Sequence, residues 1–464
     1  MHGNGIVIRN IRQTGRMVEL SVDLEQKIYN ALKDGDVIIY GAHLVAAELY
    51  RYLKYVSEKM NVCFVFAGFV VTSAEENPKE LEGQNVIELQ NFQKSREITM
   101  MLAMPRKYHQ ETENYAKELG FSSFIRVGLE EMSRLKGRQI LQNSQKYEKL
   151  GFHLCEDRCD ISWLNCYLYQ DTSGQGNSLG NKYFKFPTLY YLDATAVYQE
   201  MKRFDFCREY ERLFGNYCNL HMLPVYETSA GACHQLNIYM VFSQWDSIVI
   251  GKKEYPDWIC PIHAGSVYTD KKTGNFLDET GDSISGKNHI FAEMTAAYWI
   301  WKNANPVKYK GLCHYRRHFV LSNDEVWNLE RNGVDVILTI PRYAPGGIRR
   351  MFLNETPVKG PVYQIMREAV AECHPEDTET FTSYMEECLY FPNNMVVARS
   401  EIYDEYCQWI FSVLFRMADL DEESGYGHDK DRHIAYAAEL LTSYFFTKCK
   451  GKYHVVVTDY KFYE

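Results

Sequence analysis

A basic tetrad, His314-Tyr315-Arg316-Arg317, lies inside the segment 309–321, which is apolar at both ends. Guanidinium groups in a strand pattern of this kind need anionic partners, because an unpaired charge is costly to remove from water. Two kinds of anionic partner fit: carboxylates of the protein itself, or the diphosphate of a nucleotide, which the planar guanidinium of an arginine matches well. The tetrad therefore indicates an anion site with His314, Arg316 and Arg317 as its basic groups.

Residues 282–303 have the apolar spacing of one face of a helix, with Ser285 as the N-cap. Lys287 and Asn288 then fall in the first turn, where outward N–H groups favour an anionic ligand. The aromatic residues 298–301 are interpreted as core packing. Lys287 therefore joins the candidate diphosphate site, with Asn288 beside it.

The segment 389–398 has a strand-like pattern, with Asn393 and Asn394 just before its apolar run. Amide side chains at such a position suit hydrogen bonds to sugar hydroxyls, and they equally suit the capping of a turn. Both interpretations stay open. Asn393 and Asn394 are therefore candidate sugar-binding residues.

The elements that precede these residues alternate between strands and helices. Strand patterns at 36–40, 62–71, 85–87 and 97–103 are interleaved with helical patterns at 44–55 and 111–119. This alternation predicts an α/β fold with a parallel sheet. The turn after the first strand keeps one glycine, Gly41, of the dinucleotide fingerprint GxGxxG, whereas His43 and Ala46 replace the others. We favour a docking or scaffold domain over dinucleotide binding.

Composition narrows the classes of partner. The net charge of −10 argues against general nucleic-acid binding, which depends on clustered Lys and Arg. The 13 cysteines are odd in number, and no secretory leader or membrane-spanning run of roughly 20 apolar residues is present, so we expect a cytoplasmic protein with reduced thiols. Peripheral contact with the inner face of the membrane stays open.

Three domains are predicted. Residues 1–135 form a Rossmann-like domain with a leading helix, residues 136–236 a mainly helical connector, and residues 237–464 the domain that carries the chemistry. The connector is assigned from a Gly/Ser/Asn-rich loop at 173–181 and a helical, aromatic-rich pattern at 194–214.

Four motifs in the third domain occur in the same order as in a known family: ISGKNHIFAEMTAAYWIWKN, GLCHYRRHF, NNMVVARSEIYDEYCQWIFSVLF and RHIAYAAELL. With them, residues 237–450 resemble the bacterial polysaccharide glycosyltransferase family catalogued as domain of unknown function 4422. Members occur in capsule, exopolysaccharide and O-antigen loci. The first domain looks like the small Rossmann-like domains that precede sugar-transferring modules.

The resemblance implies a GT-A-like fold and transfer of a hexosyl unit, galactosyl or galactofuranosyl among them, from a UDP-sugar. The acceptor is expected to be a lipid-linked or oligosaccharide chain. Many GT-A enzymes hold Mn²⁺ or Mg²⁺ with an Asp-x-Asp pair, but the tetrad stands at the equivalent place here. We therefore expect cationic side chains, rather than a metal, to meet the diphosphate. The motif Asp429-Lys430-Asp431 keeps a metal-dependent alternative open.

Transfer with inversion needs a carboxylate that takes the proton of the acceptor hydroxyl. Glu293, Asp431 and Glu439 lie in or near the shared motifs and are the catalytic candidates. Arg432, which opens the last motif, and Asn288 are further candidates for binding the sugars. A salt bridge with an arginine is the alternative role for each carboxylate.

Two other functions compete with transfer. The chain would be a non-catalytic carbohydrate-binding or assembly component if the transferase half were degenerate. It would be an NAD-dependent epimerase or reductase if the turn at Gly41 bound a dinucleotide, which the missing glycines argue against.

Overall fold

The computed structural model describes residues 15–75, 77–93, 97–128, 131–132, 135, 152–154, 165–170, 182–187, 206–215, 217–226, 235–244, 246, 255–344, 346–356, 360–425 and 432–462. The chain divides into two compact units. The first comprises Met1–Leu168 with Phe186–Phe204, and the second comprises Tyr169–Lys185 with Asp205–Glu464. No helix in the described ranges combines the length and the apolar character that crossing a membrane requires.

The first unit alternates strands and helices along the chain. Its elements are α1 (Gly15–Asp34), β1 (Asp36–Tyr40), α2 (Leu44–Met60), β2 (Val65–Val71), β3 (Glu80–Leu81), β4 (Gln84–Glu88), β5 (Ile98–Ala103), α3 (His109–Glu118) and β6 (Ser123–Val127). The strands β4-β2-β1-β5-β6 lie side by side in that order and are all parallel. This is the strand order of a Rossmann-like sheet. The predicted α/β fold with a parallel sheet is therefore confirmed.

Strand β1 is buried along its whole length, as its continuous apolar run DVIIY requires at the centre of a parallel sheet. Gly41 follows it with φ 127°, and a Cβ there would lie 2.6 Å from the carbonyl oxygen of Ala103. Only glycine fits such an approach. Gly41 is thus explained by packing between β1 and β5.

Between the two sheets in sequence, the described residues include β7 (Phe152–Leu154), β8 (Asn165–Gln170), β9 (Lys182–Pro187) and α4 (Phe206–Phe214). Most other residues of the predicted connector lie outside the described ranges. Its mainly helical character and the three-domain boundaries therefore stay predictions.

The second unit contains a larger mixed sheet and the helices around it. The strands of this unit after β9 are β10 (Cys218–Asn219), β11 (Leu236–Phe242), β12 (Ile259–His263), β13 (Phe276–Leu277), β14 (Tyr309–His314), β15 (Arg317–Phe319), β16 (Val336–Thr339), β17 (Arg342–Tyr343), β18 (Leu389–Tyr390), β19 (Val396–Arg399), β20 (Val455–Thr458) and β21 (Tyr460–Phe462). Of these, β17 and β18 pair with each other and lie outside the larger sheet. Its helices after α4 are α5 (Asn288–Phe291), α6 (Met294–Asn303), α7 (Asn323–Asn328), α8 (Ile348–Glu355), α9 (Gly360–Cys373), α10 (Thr378–Tyr384), α11 (Ser400–Ser424) and α12 (His433–Lys448).

The main sheet has the order β10-β20-β16-β19-β14-β11-β12-β13. Neighbours from β14 to β13 are parallel, and β19 runs antiparallel between β14 and β16. Helix α11 packs on β19 and β14 and contacts α6, α9 and α12. Helix α12 is buried on nearly every side, as expected for a helix that is apolar all round. The sheet and these helices form the frame that holds the site.

Candidate functional site

The carboxyl ends of β11, β12 and β14 meet at one edge of the main sheet. Val241 pairs with His314, and Phe242 pairs with His263. A cavity of about 910 Å³ lies there, and its lining includes Asn288, Glu293, His314 and Arg432. Open α/β sheets bind ligands outside the carboxyl ends of their parallel strands. This edge is therefore the candidate active site, called the strand-end cavity below.

The basic tetrad forms the turn between β14 and β15, in which His314 pairs with Arg317. His314 and Tyr315 line the strand-end cavity. Arg316 is exposed, with its guanidinium carbon 5.0 Å from the centre of the Tyr315 ring, and Arg317 is half-buried in β15. Among the described residues, neither arginine is part of the cavity lining. The structure thus brings the first half of the tetrad, rather than its arginines, into the cavity.

Tyr315 is held in the cavity wall by Asp246, which follows β11. The Tyr315 hydroxyl donates a hydrogen bond to the Asp246 carboxylate, and burial together with this bond raises the pKa of Tyr315 to about 12. Asp246 also accepts hydrogen bonds from the backbone N–H and the hydroxyl of Ser243, at 2.9 and 2.8 Å. The loop after β11 and the turn after β14 are therefore tied together.

Glu293 and Arg432 form an ion pair in the cavity, with 3.3 Å between Arg432 Nη2 and Glu293 Oε2. Glu293 lies between α5 and α6, next to Ala292, whose φ is 44°. Arg432 precedes α12 and also has a left-handed backbone, with φ 50°. The Glu293 side chain is 12% exposed and that of Arg432 is 59% exposed. A largely buried carboxylate thus meets an accessible guanidinium.

His314 is neutral in this setting. Burial lowers the pKa of His314 against the opposing effects of Glu293 and of the hydrogen bond to the Asn393 carbonyl, and the charges of Arg317 and Arg432 add to the lowering. Its Nε2 lies 2.6 Å from the carbonyl oxygen of Asn393, so Nε2 carries the proton and donates. The other ring nitrogen, Nδ1, is then an acceptor. His314 is suited to accept a hydrogen bond from a substrate rather than to neutralise phosphate.

Asn393 and Asn394 form a turn between β18 and β19, so the predicted continuous strand 389–398 is interrupted. Their φ values are 77° and 51°. The Asn394 amide donates to Glu293 Oε1 at 2.9 Å, and Asn394 is 4% exposed. Neither asparagine is among the described residues that line the cavity. They contact two residues that do line it, Glu293 and His314.

Most of the residues that line the strand-end cavity belong to a segment that matches a protein-family model. Residues 251–450 match the family model described as Domain of unknown function (DUF4422). The resemblance, predicted for residues 237–450, is confirmed over this segment. Glu293, His314 and Arg432 lie inside the DUF4422 segment, whereas the cavity residues of β11 precede it.

One solved structure similar to part of the chain is the WbbM bifunctional glycosyltransferase in its apo form. The identity is 22% and the TM-score is 0.43. The match covers 49% of this chain and 45% of that chain, so it spans less than half of the WbbM chain. None of the curated proteins compared with the chain matches it.

Two more residues of the DUF4422 segment, Lys287 and Asn288, lie where α5 begins. The predicted helix 282–303 starts instead as a 3-10 helix at Ser285–Lys287 and breaks at Ala292 into α5 and α6. Asn288 lines the cavity and donates its amide to the Ala292 carbonyl at 2.8 Å and to Thr295 Oγ1 at 3.0 Å. Lys287 is exposed and, within the described part of the chain, does not line the cavity.

Of the other carboxylate candidates, Glu439 lies on α12 and outside the described cavity lining. Burial raises its pKa, whereas the positive charge of Arg342, the backbone N–H of Asn393 and the charge of Arg317 act in the opposite direction. Asp431, with Asp429, lies outside the described residues. Glu293 is therefore the candidate that the structure places in the cavity.

Asp278, which the sequence analysis does not single out, organises one wall of the cavity. Its carboxylate is fully buried and accepts from the backbone N–H groups of Gly265 and Ser266 and from the hydroxyls of Ser266, Ser285 and Thr295. A buried carboxylate is stable only with donors of this kind. Through Thr295 it also supports Asn288. The signal in the sequence is an acid directly after a short apolar strand, between the glycines at 274 and 281.

A second cavity of about 870 Å³ lies at the far end of α12, where His374, Glu376 and Asp377 approach one another. Within the described ranges, these three residues form the group that could hold a metal ion. Asp377 already accepts from Lys448 and, at 3.0 Å, from Trp409 Nε1. An ammonium group in that place competes with a metal ion. We therefore take the strand-end cavity as the candidate site.

Proposed function

We propose that the second unit is a glycosyltransferase that moves a hexosyl unit from a UDP-sugar to a hydroxyl group of a carbohydrate acceptor. The observation that carries this proposal is the cavity at the carboxyl ends of β11, β12 and β14, with Glu293, His314 and Arg432 on its wall. The resemblance of the matched segment to polysaccharide glycosyltransferases supports it. A GT-A-like arrangement of the sheet is part of the proposal.

Glu293 is proposed as the base. The acceptor hydroxyl gives its proton to the Glu293 carboxylate while its oxygen bonds to the anomeric carbon of the donor. The bond between that carbon and the diphosphate breaks on the opposite face, and its electron pair leaves with UDP. The configuration is inverted in this single displacement. Neutral His314 accepts a hydrogen bond from a substrate hydroxyl and helps to orient it.

Arg432 is proposed to bind the departing diphosphate. Charge develops on the leaving oxygen, and an accessible guanidinium in the cavity stabilises it. Lys287 and Arg316, both exposed, are further cations close in sequence to lining residues. We propose that these side chains serve in place of a metal ion. Loss of turnover with EDTA and its return with Mn²⁺ would contradict that part, and would direct attention to Asp429 and Asp431.

The donor and acceptor follow from the resemblance. Galactosyl or galactofuranosyl transfer to a growing cell-surface polysaccharide, on a lipid-linked or oligosaccharide acceptor, is the proposed reaction. Release of UDP from UDP-galactose, UDP-galactofuranose and UDP-glucose, each with and without acceptor, tests the choice. No UDP release with any of them would favour the non-catalytic, carbohydrate-binding alternative.

The role of Glu293 is tested by Glu293→Gln, which keeps the shape of the side chain and removes the base. We expect kcat to fall by about 10²- to 10⁴-fold, the range that general-base catalysis contributes. The matched control is Glu372→Gln, which removes a surface carboxylate paired with Arg416. Equal turnover in both variants would exclude Glu293 as the base.

A further inference from the structure

The turn at Asn393 and Asn394 has an unusual backbone. Both residues are left-handed, with φ 77° and 51°, although neither is glycine. Side chains disfavour this region, and such residues persist only where the surrounding structure holds them. Asparagine tolerates it better than most residues. Two in succession therefore point to contacts that only this backbone provides.

The contacts of the turn converge on the site. The carbonyl of Asn393 accepts from His314 Nε2 at 2.6 Å, and the backbone N–H of Asn393 donates to Glu439. The Asn394 amide donates to Glu293 Oε1 at 2.9 Å. One turn thus bonds to three titratable side chains, and two of them line the strand-end cavity.

The orientation of the Asn394 amide is determined by its other partners. Its Nδ2 also donates to the carbonyl of Ala435 at 3.1 Å, and its Oδ1 accepts from Thr442 Oγ1 at 3.2 Å. A flipped amide would put oxygen against oxygen at Ala435 and at Glu293. Asn394 therefore presents a donor to Glu293, and its buried side chain has no part in the described cavity lining.

Glu293 receives donors from two elements: Asn394 at Oε1 and Arg432 at Oε2. A carboxylate oxygen has two lone pairs, so each oxygen keeps capacity to accept from a substrate hydroxyl. Arg432 is exposed and belongs to the site that is proposed to bind phosphate. The buried Asn394 is thus the fixed support of Glu293 before substrate arrives.

We propose that Asn394 is a positioning residue that sets the Glu293 carboxylate for proton transfer, in place of the sugar-binding role predicted from sequence. This proposal rests on the proposed function of Glu293. Asn394 acts through Glu293, so its loss should affect the rate of the chemical step more than the binding of donor.

The test compares Asn394→Gly with the wild-type chain. Glycine accepts the left-handed backbone without strain, so this substitution removes the amide and preserves the conformation of the turn. The matched control is Asn61→Gly, another left-handed asparagine with φ 50°, located at the end of α2 in the first unit. Thermal unfolding of each variant is measured first. Asn394→Ala, which also removes the amide without adding a charge beside Glu293 and costs about 1 kcal/mol for its left-handed backbone, replaces Asn394→Gly if the latter does not fold.

We expect kcat of Asn394→Gly to fall by about 10- to 100-fold, as for other supports of a reacting group, with KM for the UDP-sugar changed less than about threefold. Asn61→Gly should match the wild type. Unchanged kcat, or equal losses in kcat and donor affinity, would overturn the positioning role alone. Absence of turnover in the wild type would overturn the proposed function, and this role with it.

Discussion

At the scale of single residues, the charge state of His314 follows from its surroundings. Burial and the neighbouring Arg317 and Arg432 disfavour the imidazolium, and their combined effect exceeds the opposing effects of Glu293 and of the hydrogen bond to the Asn393 carbonyl. The pKa of His314 is therefore below the ordinary value of about 6.5. The protein folds with a neutral imidazole whose Nε2 is held by Asn393.

This charge state predicts acid sensitivity. Between the lowered folded pKa and about 6.5, the unfolded chain binds more protons at His314 than the folded chain, so stability falls as the pH drops through that window. His314→Gln keeps a donor for Asn393 but cannot titrate. We expect the wild type to lose more unfolding free energy than His314→Gln between pH 7.5 and 5.5, by up to about 1.4 kcal/mol per pH unit in the window.

Urea unfolding at a series of pH values measures this difference. The groups around His314 that also carry charge, Glu293, Arg317 and Arg432, are the same in both proteins. A parallel loss of stability in wild type and His314→Gln would contradict the neutral state assigned to this histidine.

Residue types alone predict part of the site at this scale. Asn288, Glu293, His314 and Arg432 are candidates by their chemistry, and they line one cavity. The positions of the Arg316 and Asn394 side chains could not be predicted in the same way, because both depend on where a tight turn points them. Asp278 is marked in the sequence as an acid after a short apolar strand, but its role is not, because its donors come from three separate segments.

At the scale of elements, β14 is the strand of the main sheet that positions His314 in the strand-end cavity. It lies between β11 and β19, and Gly311 is at its centre. A Cβ at Gly311 would lie 2.2 Å from the Val396 carbonyl oxygen and 2.5 Å from Val397 Cα. These atoms belong to the backbone of β19 and cannot move without disturbing the sheet. The close approach of β14 and β19 thus requires glycine.

We therefore expect Gly311→Ala to reduce the free energy of unfolding by about 3 kcal/mol, as overpacking against a backbone does. The control is Gly286→Ala, where a Cβ meets nothing within 4 Å. Its change should stay within about 0.5 kcal/mol. Chemical denaturation measures both, and equal stability of the two variants would contradict the packing described for β14.

The boundaries of the elements explain why part of the site could not be predicted from the sequence. The segment 309–321 has the pattern of one strand, but the chain reverses after His314 with no glycine or proline in the turn. The segment 282–303 has the pattern of one helix, but Ala292 has φ 44°, which no local signal indicates. In the first unit, where glycine and polar loops mark each end, β1, α2 and β5 begin within a residue of their predicted positions.

At the scale of the whole molecule, each unit has its own buried core, and the strand-end cavity belongs entirely to the second. The first unit has the strand order of a Rossmann-like sheet, and packing against Ala103 accounts for Gly41. Because the net charge of the chain is −10, an anionic ligand must be bound by local basic groups such as Arg432.

This division predicts that damage to the first unit leaves donor binding intact. Gly41→Ala forces a Cβ against Ala103 and should cost about 2 to 3 kcal/mol of stability. Gly83→Ala, at φ 74° with no atom within 4 Å of the new Cβ, should cost about 1 kcal/mol. Calorimetric titration with UDP should give the same Kd for both variants and the wild type. A weaker Kd in Gly41→Ala alone would show that the first unit takes part in binding.

The central claim is that the strand-end cavity binds the nucleotide diphosphate of a sugar donor. A crystal structure of the complete chain with UDP bound tests it most directly. We predict that the diphosphate lies at the carboxyl ends of β11, β12 and β14, within hydrogen-bond distance of Arg432. UDP bound instead beside His374 and Trp409, or in the first unit, would contradict the claim.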